Sequence, residues 1–247
     1  MKIAGIIPAR YASTRFPGKP LVDIQGKSMI RRVYEQCLKC PQLNAVVVAT
    51  DDERILNEVS SFGGHAIMTL TSHQSGTDRC GEVIEIMEKQ GEAFDAVLNI
   101  QGDEPFIDPG QISKVALQLI DDKVQIATLI KKIDTEDELF NPNVVKVVLA
   151  NNGRALYFSR STIPYLRGHE QKEWLGQQTF YKHVGIYGYQ TKILKKVINL
   201  SRGNLELAES LEQLRWLENG FLVFAEETDI ESIAIDTPED LSKLFNI

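Results

Sequence analysis

The sequence predicts an α/β fold in which a mostly parallel central sheet is flanked by helices, with a strand-rich insertion in its second half. Three short apolar runs lack the alternation of a half-exposed strand, which is typical of strands buried on both faces; they are residues 3–7, 45–49 and 96–100. Apolar residues recur at three-to-four spacing over residues 29–38 and 55–62, which predicts two helices. Because strands and helices alternate, we expect a doubly wound sheet.

The second half of the chain is richer in strands. Strands are predicted over residues 124–132, 144–150, 155–158 and 184–189. The polar segment 167–178 predicts a loop with at most one helical turn. Helices are predicted at residues 191–199, 206–217 and 239–245, with a strand at 222–225. Since no Pro-, Gly- and Ser-rich linker divides the chain, we expect one domain over residues 1–247, with about 125–190 as a mixed-strand subregion.

Charge and cysteine content exclude several classes of protein. The 247 residues carry 27 basic and 34 acidic side chains, a net charge of −7, which argues against a general nucleic-acid binder. No run approaches the ~18 uninterrupted apolar residues of a membrane span, and no signal peptide is visible at the start, so we expect a cytoplasmic protein without membrane insertion. The three cysteines, Cys37, Cys40 and Cys80, cannot all pair and predict free thiols in a reducing compartment.

A basic loop follows the first predicted strand. It contains Arg10, Arg15 and Lys19, separated by small and hydroxyl residues. Charge-assisted bonds from such cations can surround a polyphosphate. A solvated basic loop is the alternative, but ligands of open α/β sheets lie outside the carboxyl ends of the strands, and this position favours phosphate binding.

Three familiar motifs are only partly matched and are excluded. Gly26-Lys27-Ser28 ends like a P-loop, but residue 21 is Leu21 where that motif requires glycine. No G-x-G-x-x-G sequence follows a predicted strand. Cys37 and Cys40 form a C-x-x-C at the end of a helix, where the helix dipole disfavours a thiolate, so we interpret them as structural.

Two aspartates are candidate magnesium ligands. Asp103 follows the third apolar run, where Gly102 leaves room for a ligand, although Gly, Asp and Pro are equally typical of a plain turn. Asp236 follows another apolar triplet. Helix capping by Thr237 and a proline in the first turn explain the next residues but leave Asp236 unexplained.

Two further segments carry both a structural and a functional interpretation. Ser75 or Thr77 is expected to cap a helix, and the glycine between them opens a helix N-terminus whose amides can meet a nucleotide. Strand alternation places His183 and Tyr187 on one face with Tyr181 and Gly185. A structural histidine is the default interpretation there, but such a face also suits a sugar.

Seven blocks, in order and spanning essentially the whole chain, resemble the 3-deoxy-manno-octulosonate (Kdo) cytidylyltransferases, or CMP-Kdo synthetases. These blocks are residues 8–21, 73–79, 99–105, 155–160, 183–189, 211–215 and 236–240. Two departures stand out: Asp78 takes a position where many members have Glu, and residues 168–178 match no part of the pattern.

The resemblance implies a Rossmann-like nucleotide-diphospho-sugar transferase fold and a homodimer. The subregion at about 125–190 would contribute to sugar binding and to the dimer interface. It also implies synthesis of CMP-Kdo and pyrophosphate from CTP and Kdo with Mg²⁺, for lipopolysaccharide biosynthesis.

The resemblance further implies three groups of site residues, with Lys19, Asp103 and Asp236 as the catalytic set. The nucleotide-binding residues would be Arg10, Arg15, Lys19, Ser75, Arg79 and Gln101. The Mg²⁺ ligands would be Asp103 and Asp236. The residues around the sugar acid would be Gln101, Arg160, Arg167, His183, Tyr187, Glu212 and Gln213. Arg160 is expected to pair with the Kdo carboxylate in bidentate fashion.

Alternatives within and outside this class remain open. CMP-sialic acid synthetases have a first loop rich in lysine and glycine, and the segment from Arg10 to Arg15 argues against them. A non-catalytic nucleotide-binding regulator would keep the basic loop but would not need two metal-binding carboxylates. The choice between Kdo and an amino-substituted analogue stays open. So does the need for a general base, since metal coordination of the attacking hydroxyl could replace one.

Overall fold

The computed structural model describes residues 1–12, 16–231 and 233–245. Its strands are β1 (Ile3–Ala9), β2 (Asp23–Ile24), β3 (Lys27–Ser28), β4 (Ala45–Thr50), β5 (Ala66–Met68), β6 (Ala96–Asn99), β7 (Ile126–Lys132), β8 (Lys146–Leu149), β9 (Ala155–Ser159), β10 (Tyr181–Gln190) and β11 (Val223–Glu227). Its α-helices are α1 (Met29–Cys37), α2 (Glu53–Ser61), α3 (Gly76–Lys89), α4 (Pro109–Gln118), α5 (Glu136–Phe140), α6 (Trp174–Gln177), α7 (Thr191–Val197), α8 (Asn204–Glu209), α9 (Glu212–Glu218) and α10 (Pro238–Phe245). None of the helices in these ranges has the length and apolar composition that crossing a membrane requires.

The chain divides into two compact units. The first combines Met1–Leu117 with Ser232–Ile247, and the second spans Gln118–Glu231. The second unit therefore contains the subregion predicted at about 125–190 and extends beyond it on both sides. The single-domain organisation of residues 1–247 stays a prediction.

The first unit is built on a parallel sheet with the order β6-β1-β4-β5. β1 is central: Ile6 lies opposite Val47 of β4 on one side and Asn99 of β6 on the other. Ile6 and Val47 are fully buried, as expected for strands covered on both faces. The three predicted strands and their parallel arrangement are confirmed. Because the strands are parallel, the residues that follow β1, β4 and β6 lie at one edge of this sheet.

The segment that resembles the end of a P-loop is a small hairpin. β2 and β3 pair antiparallel, and the two residues between them, Gln25 and Gly26, have positive φ angles of 51° and 81°. Two successive positive φ angles are typical of the tightest hairpin turns. Ser28 then caps α1 by accepting a hydrogen bond from the backbone N of Arg31. The exclusion of a phosphate-binding P-loop at this position is confirmed.

The second unit is a mixed sheet with the order β11-β7-β10-β8-β9. β10 pairs antiparallel with β7 and β8, β9 pairs antiparallel with β8, and β11 pairs parallel with β7. The register between β10 and β7 shifts between Val184 and Tyr187, so the strand is irregular at Gly185. The predicted strand-rich character of this half of the chain is confirmed.

Two predictions about helices in the second unit are wrong. The segment 167–178 contains a 3₁₀ turn over Gln171–Glu173 that runs directly into α6, because the buried Trp174 packs on Phe180 and Leu139 and anchors it. The predicted helix 206–217 is two helices, α8 and α9. They are separated at Ser210, whose φ of 52° reverses the chain direction.

The three cysteines are free and buried, as predicted. Cys37 ends α1, and burial raises the pKa of its thiol far above the ordinary value. Such a thiol is inert, which supports the structural interpretation of the C-x-x-C pair.

Candidate active site

In the first unit, Lys19 lies between the two predicted magnesium ligands. Its Nζ donates to Asp103 Oδ2 at 2.7 Å and to Asp236 Oδ1 at 3.2 Å. The side chains of Lys19, Asp103 and Asp236 are 14%, 25% and 41% exposed, so the cluster can be reached from solvent. The structure therefore brings together the three residues of the predicted catalytic set, although they are far apart in sequence.

Local structure explains how each of the three is placed. Lys19 opens a 3₁₀ turn preceded by Gly18, whose φ is 73°. The backbone N of Ile235 donates to the main-chain O of Asp103 at 2.9 Å, which ties the two carboxylate-bearing segments together. Thr237 and Asp240 exchange hydrogen bonds at the start of α10. This capping leaves Asp236, one residue earlier, directed at Lys19.

Lys19, Asp103 and Asp236 together are called the Lys19 cluster. This cluster borders a cavity of about 400 Å³ in the first unit. This size falls in the range of small-molecule sites. Arg10, Lys19, Arg79, Gln101 and Asp103 line the cavity, so five of the predicted site residues share one space. Arg10 is exposed, and among the described residues its Nη2 contacts the carbonyl of Gln74 at a long distance of 3.4 Å. Its charge is therefore available to an anion in the cavity.

Glycines at the cavity wall are needed for close packing. A Cβ on Gly102 would lie 2.7 Å from the main-chain O of Pro8, and a Cβ on Gly76 would lie 3.2 Å from the Pro8 ring. Gly102 also lines the cavity beside Asp103, so the expectation that it leaves room for a ligand stays a prediction; in addition, its missing Cβ lets the end of β1 approach closely. This close approach brings Asp103 and the first turn of α3 against β1.

The N-terminus of α3 is capped by Ser75, as one of the two interpretations predicted. Ser75 Oγ accepts from the backbone N of Asp78, and the Ser75 backbone N donates to Asp78 Oδ2, both at 3.1 Å. Asp78 thus completes a capping box. Its short side chain serves a local structural purpose at the position where the family resemblance led us to expect Glu.

Arg79 is fully buried, and most of its hydrogen-bonding groups are already used. Nη1 donates to Thr69 Oγ1 at 2.6 Å, and Nη2 pairs with Asp51 Oδ2 at 2.5 Å. Its Nε is buried without a hydrogen-bond partner. Arg79 therefore lines the cavity with its charge already paired with Asp51 and with one unsatisfied donor, Nε. Its role in nucleotide binding stays a prediction.

Asp103 and Asp236 fit a divalent cation bound together with a ligand. Both carboxylates contact one cationic atom, Lys19 Nζ, so the pair is already arranged around a positive charge. Within the described ranges, no group of three or more His, Cys, Asp or Glu side chains could hold a metal by itself. Mg²⁺ commonly takes one or two protein carboxylates and completes its shell with phosphate oxygens and water. A nucleotide-dependent Mg²⁺ site fits this arrangement.

Apart from Gln101, which lies in the first unit, the predicted sugar-acid residues lie in the second unit, with Arg160 directly after β9. Its Nε donates to the main-chain O of Glu209 at 2.7 Å, and its Nη1 donates to the main-chain O of Pro142 at 3.1 Å. No described carboxylate forms an ion pair with this guanidinium, and no described residue accepts a hydrogen bond from Nη2. The side chain is therefore oriented by carbonyl groups that leave its charge uncompensated.

An aromatic cluster surrounds His183. Its ring lies 5.0 Å from that of Tyr187 and 5.4 Å from that of Phe158, measured between centroids. His183 Nε2 is 3.0 Å from Thr128 Oγ1, and Thr128 Oγ1 is 2.8 Å from the main-chain O of Ile186. Assigning the single hydroxyl hydrogen of Thr128 to this carbonyl makes His183 Nε2 the donor and leaves Nδ1 as the acceptor.

Burial determines the protonation of this cluster. It lowers the pKa of His183 to about 4, so the ring is neutral at pH 7. Burial, and secondarily the charge of Glu212, raises the pKa of Tyr187 well above its ordinary value. The Tyr187 hydroxyl is buried without a hydrogen-bond partner. His183 and Tyr187 are thus neutral, and together with the nearby carboxylate of Glu212 they form a polar group suited to sugar hydroxyls.

The other predicted residues are placed differently. Gln213 is buried beside Glu212 in the first turn of α9. Arg167 is exposed, and none of the described residues forms a hydrogen bond or ion pair with it. Arg15 lies outside the described residues. Sequence reasoning missed Asp51, Thr128 and Glu209, which orient Arg79, His183 and Arg160; only Asp51, at the carboxyl end of a predicted strand, had a sequence signal that could have identified it.

Comparisons with known proteins identify the family to which the chain is similar. The sequence model of the family described as Cytidylyltransferase matches residues 4–233. A 3-deoxy-manno-octulosonate cytidylyltransferase of Parabacteroides distasonis is 56% identical, over 98% of this chain and 96% of its own length. One from Cytophaga hutchinsonii is 55% identical, over 99% and 96%.

Solved structures show the same relationship. A CMP:2-keto-3-deoxy-manno-octonic acid synthetase complexed with CTP superposes with a TM-score of 0.89 at 42% identity, covering 99% of this chain and 97% of its own. A cytidylyltransferase from Leptospira borgpetersenii has a TM-score of 0.63 at 16% identity, covering 99% and 85%, and shows the fold alone. The match confirms the nucleotidyltransferase fold, with a sheet flanked by helices. With relatives more than half identical over nearly its whole length, the chain belongs to the 3-deoxy-manno-octulosonate cytidylyltransferase family.

Proposed function

We propose that this protein is an Mg²⁺-dependent cytidylyltransferase that joins Kdo to CMP and releases pyrophosphate from CTP, supplying lipopolysaccharide biosynthesis. The observation that carries the proposal is the Lys19 cluster, in which two carboxylates and one ammonium group meet at the cavity of the first unit. A nucleotide triphosphate needs both a divalent cation and compensating positive charge, and this cluster can provide both. The CTP complex of the structural relative supports the nucleotide assignment.

The first unit would bind CTP. Arg10, Arg15 and Lys19 would contact its phosphates. Ser75 and the amides of the first turn of α3 would lie at the helix N-terminus, where the dipole favours negative charge. Gln101 would offer an amide to either substrate, and Arg79 would offer its unsatisfied Nε.

Asp103 and Asp236 would hold the Mg²⁺, and Lys19 would then pass from the carboxylates to the phosphates. Bound Mg²⁺ supplies charge neutralisation at the reacting phosphate and lowers the pKa of a hydroxyl that it contacts. The sugar hydroxyl would attack the α-phosphorus in line and release its proton to solvent, while the bond from the α-phosphorus to the bridging oxygen breaks and pyrophosphate leaves. Lys19 would stabilise the charge that develops on that leaving group.

The second unit would bind the sugar acid. Arg160 has the uncompensated guanidinium needed for a carboxylate. His183, Tyr187, Glu212 and Gln213 would meet the sugar hydroxyls, and the Tyr187 hydroxyl is the clearest candidate because it is buried without a partner. Arg167, exposed and without an ion pair, would be a second cation for the same substrate.

The experiment that tests the proposal is a substrate panel assayed by pyrophosphate release from CTP. We expect release only when Mg²⁺ and a sugar acid are both present, with Kdo, its amino-substituted analogue and sialic acid compared at equal concentration. If sialic acid were the only one of these sugar acids that supported release, the assignment of Kdo as the substrate would be wrong. Binding of CTP without release under any condition would indicate a nucleotide-binding regulator.

The family resemblance also leads us to propose a cytoplasmic homodimer formed through the second unit. Leu156 of β9 is 51% exposed, and Tyr165, nearby in sequence, is 74% exposed. Large apolar side chains that stay exposed are typical of an interaction surface. Light scattering should give twice the 27.8 kDa chain mass. Leu156→Glu should halve it, and a monomeric wild-type protein would contradict the proposal.

A further inference from the structure

Glu209, the last residue of α8, contacts the end of β9 through both its side chain and its main chain. Its Oε1 accepts from Ser159 Oγ at 2.6 Å, and its Oε2 accepts from the backbone N of Arg160 at 2.8 Å. Its main-chain O accepts from Arg160 Nε at 2.7 Å. One residue thus fixes both the backbone and the guanidinium of Arg160.

A second support holds the guanidinium from another direction. Arg160 Nη1 donates to the main-chain O of Pro142. The turn that carries Pro142 is held by the fully buried Lys146, whose Nζ donates to the main-chain O of Asn141 at 2.8 Å and of Val144 at 2.6 Å. Burial lowers the pKa of Lys146, while the nearby Glu209 acts in the opposite direction. With Lys146 charged, the group has two positive charges and one negative charge, and the net charge favours an anion.

Glu209 is also rigidly connected to the first turn of α9. The chain turns back at Ser210, and the buried side chains of Glu206 and Arg215 form a bidentate ion pair with two contacts of 2.6 Å that joins α8 to α9. Glu212 and Gln213 begin α9 only a few residues after Glu209. The main-chain O of Glu209, which orients Arg160, is therefore carried on two helices that the buried ion pair holds together.

From these contacts we propose that Glu209 is a positioning residue for the sugar acid, acting through Arg160. The inference rests on the proposed function, because Arg160 is taken to bind the substrate carboxylate. Glu209 itself does not contact the substrate. Its carboxylate secures β9 to the end of α8, so that Arg160 presents Nη2 and its uncompensated charge in one fixed orientation.

The proposal predicts a defect confined to the sugar acid. In Glu209→Ala the guanidinium stays charged but loses its fixed orientation, since the end of β9 is no longer secured to the carbonyl of residue 209. We expect the KM for Kdo to rise about 10-fold or more, with kcat changed less than about threefold and the KM for CTP unchanged. Such a split indicates lost substrate binding.

A double-mutant cycle with Arg160→Ala separates positioning from general stability. If Glu209 acts through Arg160, Glu209→Ala should change the KM for Kdo less than about twofold once Arg160 is already alanine. Glu218→Ala is the matched control, because Glu218 accepts from the backbone N of Leu205 at the other end of α8 and has no contact with Arg160. This control should leave the KM for Kdo unchanged.

A milder variant covers the case in which Glu209→Ala does not fold. In Glu209→Gln the amide oxygen can still accept from the Arg160 backbone N. Its NH₂ group then faces Ser159 Oγ, which would have to change from hydrogen-bond donor to acceptor. We expect a rise in the KM for Kdo of about threefold. Three results would overturn the proposal. They are an equal effect of the Glu209 change with Arg160 present or replaced, parallel changes in the KM values for Kdo and CTP, and an unchanged KM for Kdo in either Glu209 variant. If the wild-type enzyme releases no pyrophosphate with any sugar acid, the proposed function fails instead.

Discussion

Replacing each carboxylate of the Lys19 cluster by its amide should separate stability from catalysis. At 2.7 Å the Lys19–Asp103 attraction is about 6 kcal/mol at an effective dielectric constant of about 20, and at 3.2 Å the Lys19–Asp236 attraction is about 5 kcal/mol. Desolvation and side-chain entropy offset most of both values. Asp236 is 41% exposed, so its net contribution falls below about 1 kcal/mol, whereas the less exposed Asp103 should contribute about 1–2 kcal/mol.

The expected results follow from these magnitudes. Asp103→Asn should lower the melting temperature by about 2–8 °C, and Asp236→Asn should lower it by half of that or less. Both variants lose a proposed Mg²⁺ ligand, so kcat should fall at least about 100-fold, equivalent to about 2.7 kcal/mol of transition-state stabilisation. Catalytic loss should therefore be similar in the two variants while the loss of stability differs.

The assay is pyrophosphate release at saturating CTP and Kdo over a range of Mg²⁺ concentrations, with melting curves of the same samples. Asp95→Asn is the matched control: it removes one negative charge from the first unit, at a residue that accepts a hydrogen bond from the Lys2 backbone N. It should keep wild-type turnover. Turnover near the wild-type value for Asp103→Asn or Asp236→Asn at saturating Mg²⁺ would remove that residue from the metal site.

Three further predictions concern single residues. Lys19→Ala should lower kcat about 10-fold or more and raise the KM for CTP less, because the lysine meets charge on the leaving pyrophosphate; a rise in KM alone would contradict this. Arg160→Lys keeps the charge but loses the planar donors that reach Glu209 and Pro142, so kcat/KM for Kdo should fall by about 1–3 kcal/mol, or about 5–150-fold, with CTP binding unchanged. His183 is neutral when folded, with a pKa near 4, and an unfolded chain protonates it below about pH 6.5. The free energy of unfolding should therefore fall by about 1–2 kcal/mol from pH 6.5 to 5 and less in His183→Gln; equal pH dependence in both proteins would refute this.

The parallel core of the first unit could be predicted because burial on both faces of the sheet leaves a pattern in the sequence of each strand. The runs that form β1, β4 and β6 are continuously apolar, and only strands covered on both faces need that pattern. Asp236 could be identified because capping accounted for its neighbours but not for it. Composition and periodicity were therefore sufficient to predict segments whose residues meet a single structural requirement, such as burial on both faces of a sheet.

The supports of the site could not be predicted in the same way. Ser210 adopts a left-handed conformation without being Gly or Asn, so nothing in the sequence separated α8 from α9. Glu209 therefore appeared to lie within a continuous helix. The close packing of Gly102 against the Pro8 carbonyl could not be predicted, because these two residues are distant in sequence. Contacts of this kind depend on three-dimensional packing that local patterns do not contain.

The discontinuous construction of the first unit has a consequence for biosynthesis. Lys19 is 84 positions from Asp103 but 217 positions from Asp236, and the whole second unit is translated in between. At about 5–20 residues per second, Asp236 emerges roughly 7–27 s after Asp103. The nascent first unit can thus form its parallel strands early while its carboxylate pair is incomplete. With Asp236 as a proposed Mg²⁺ ligand, we expect a ribosome-bound chain to turn over CTP only after the second unit has been made.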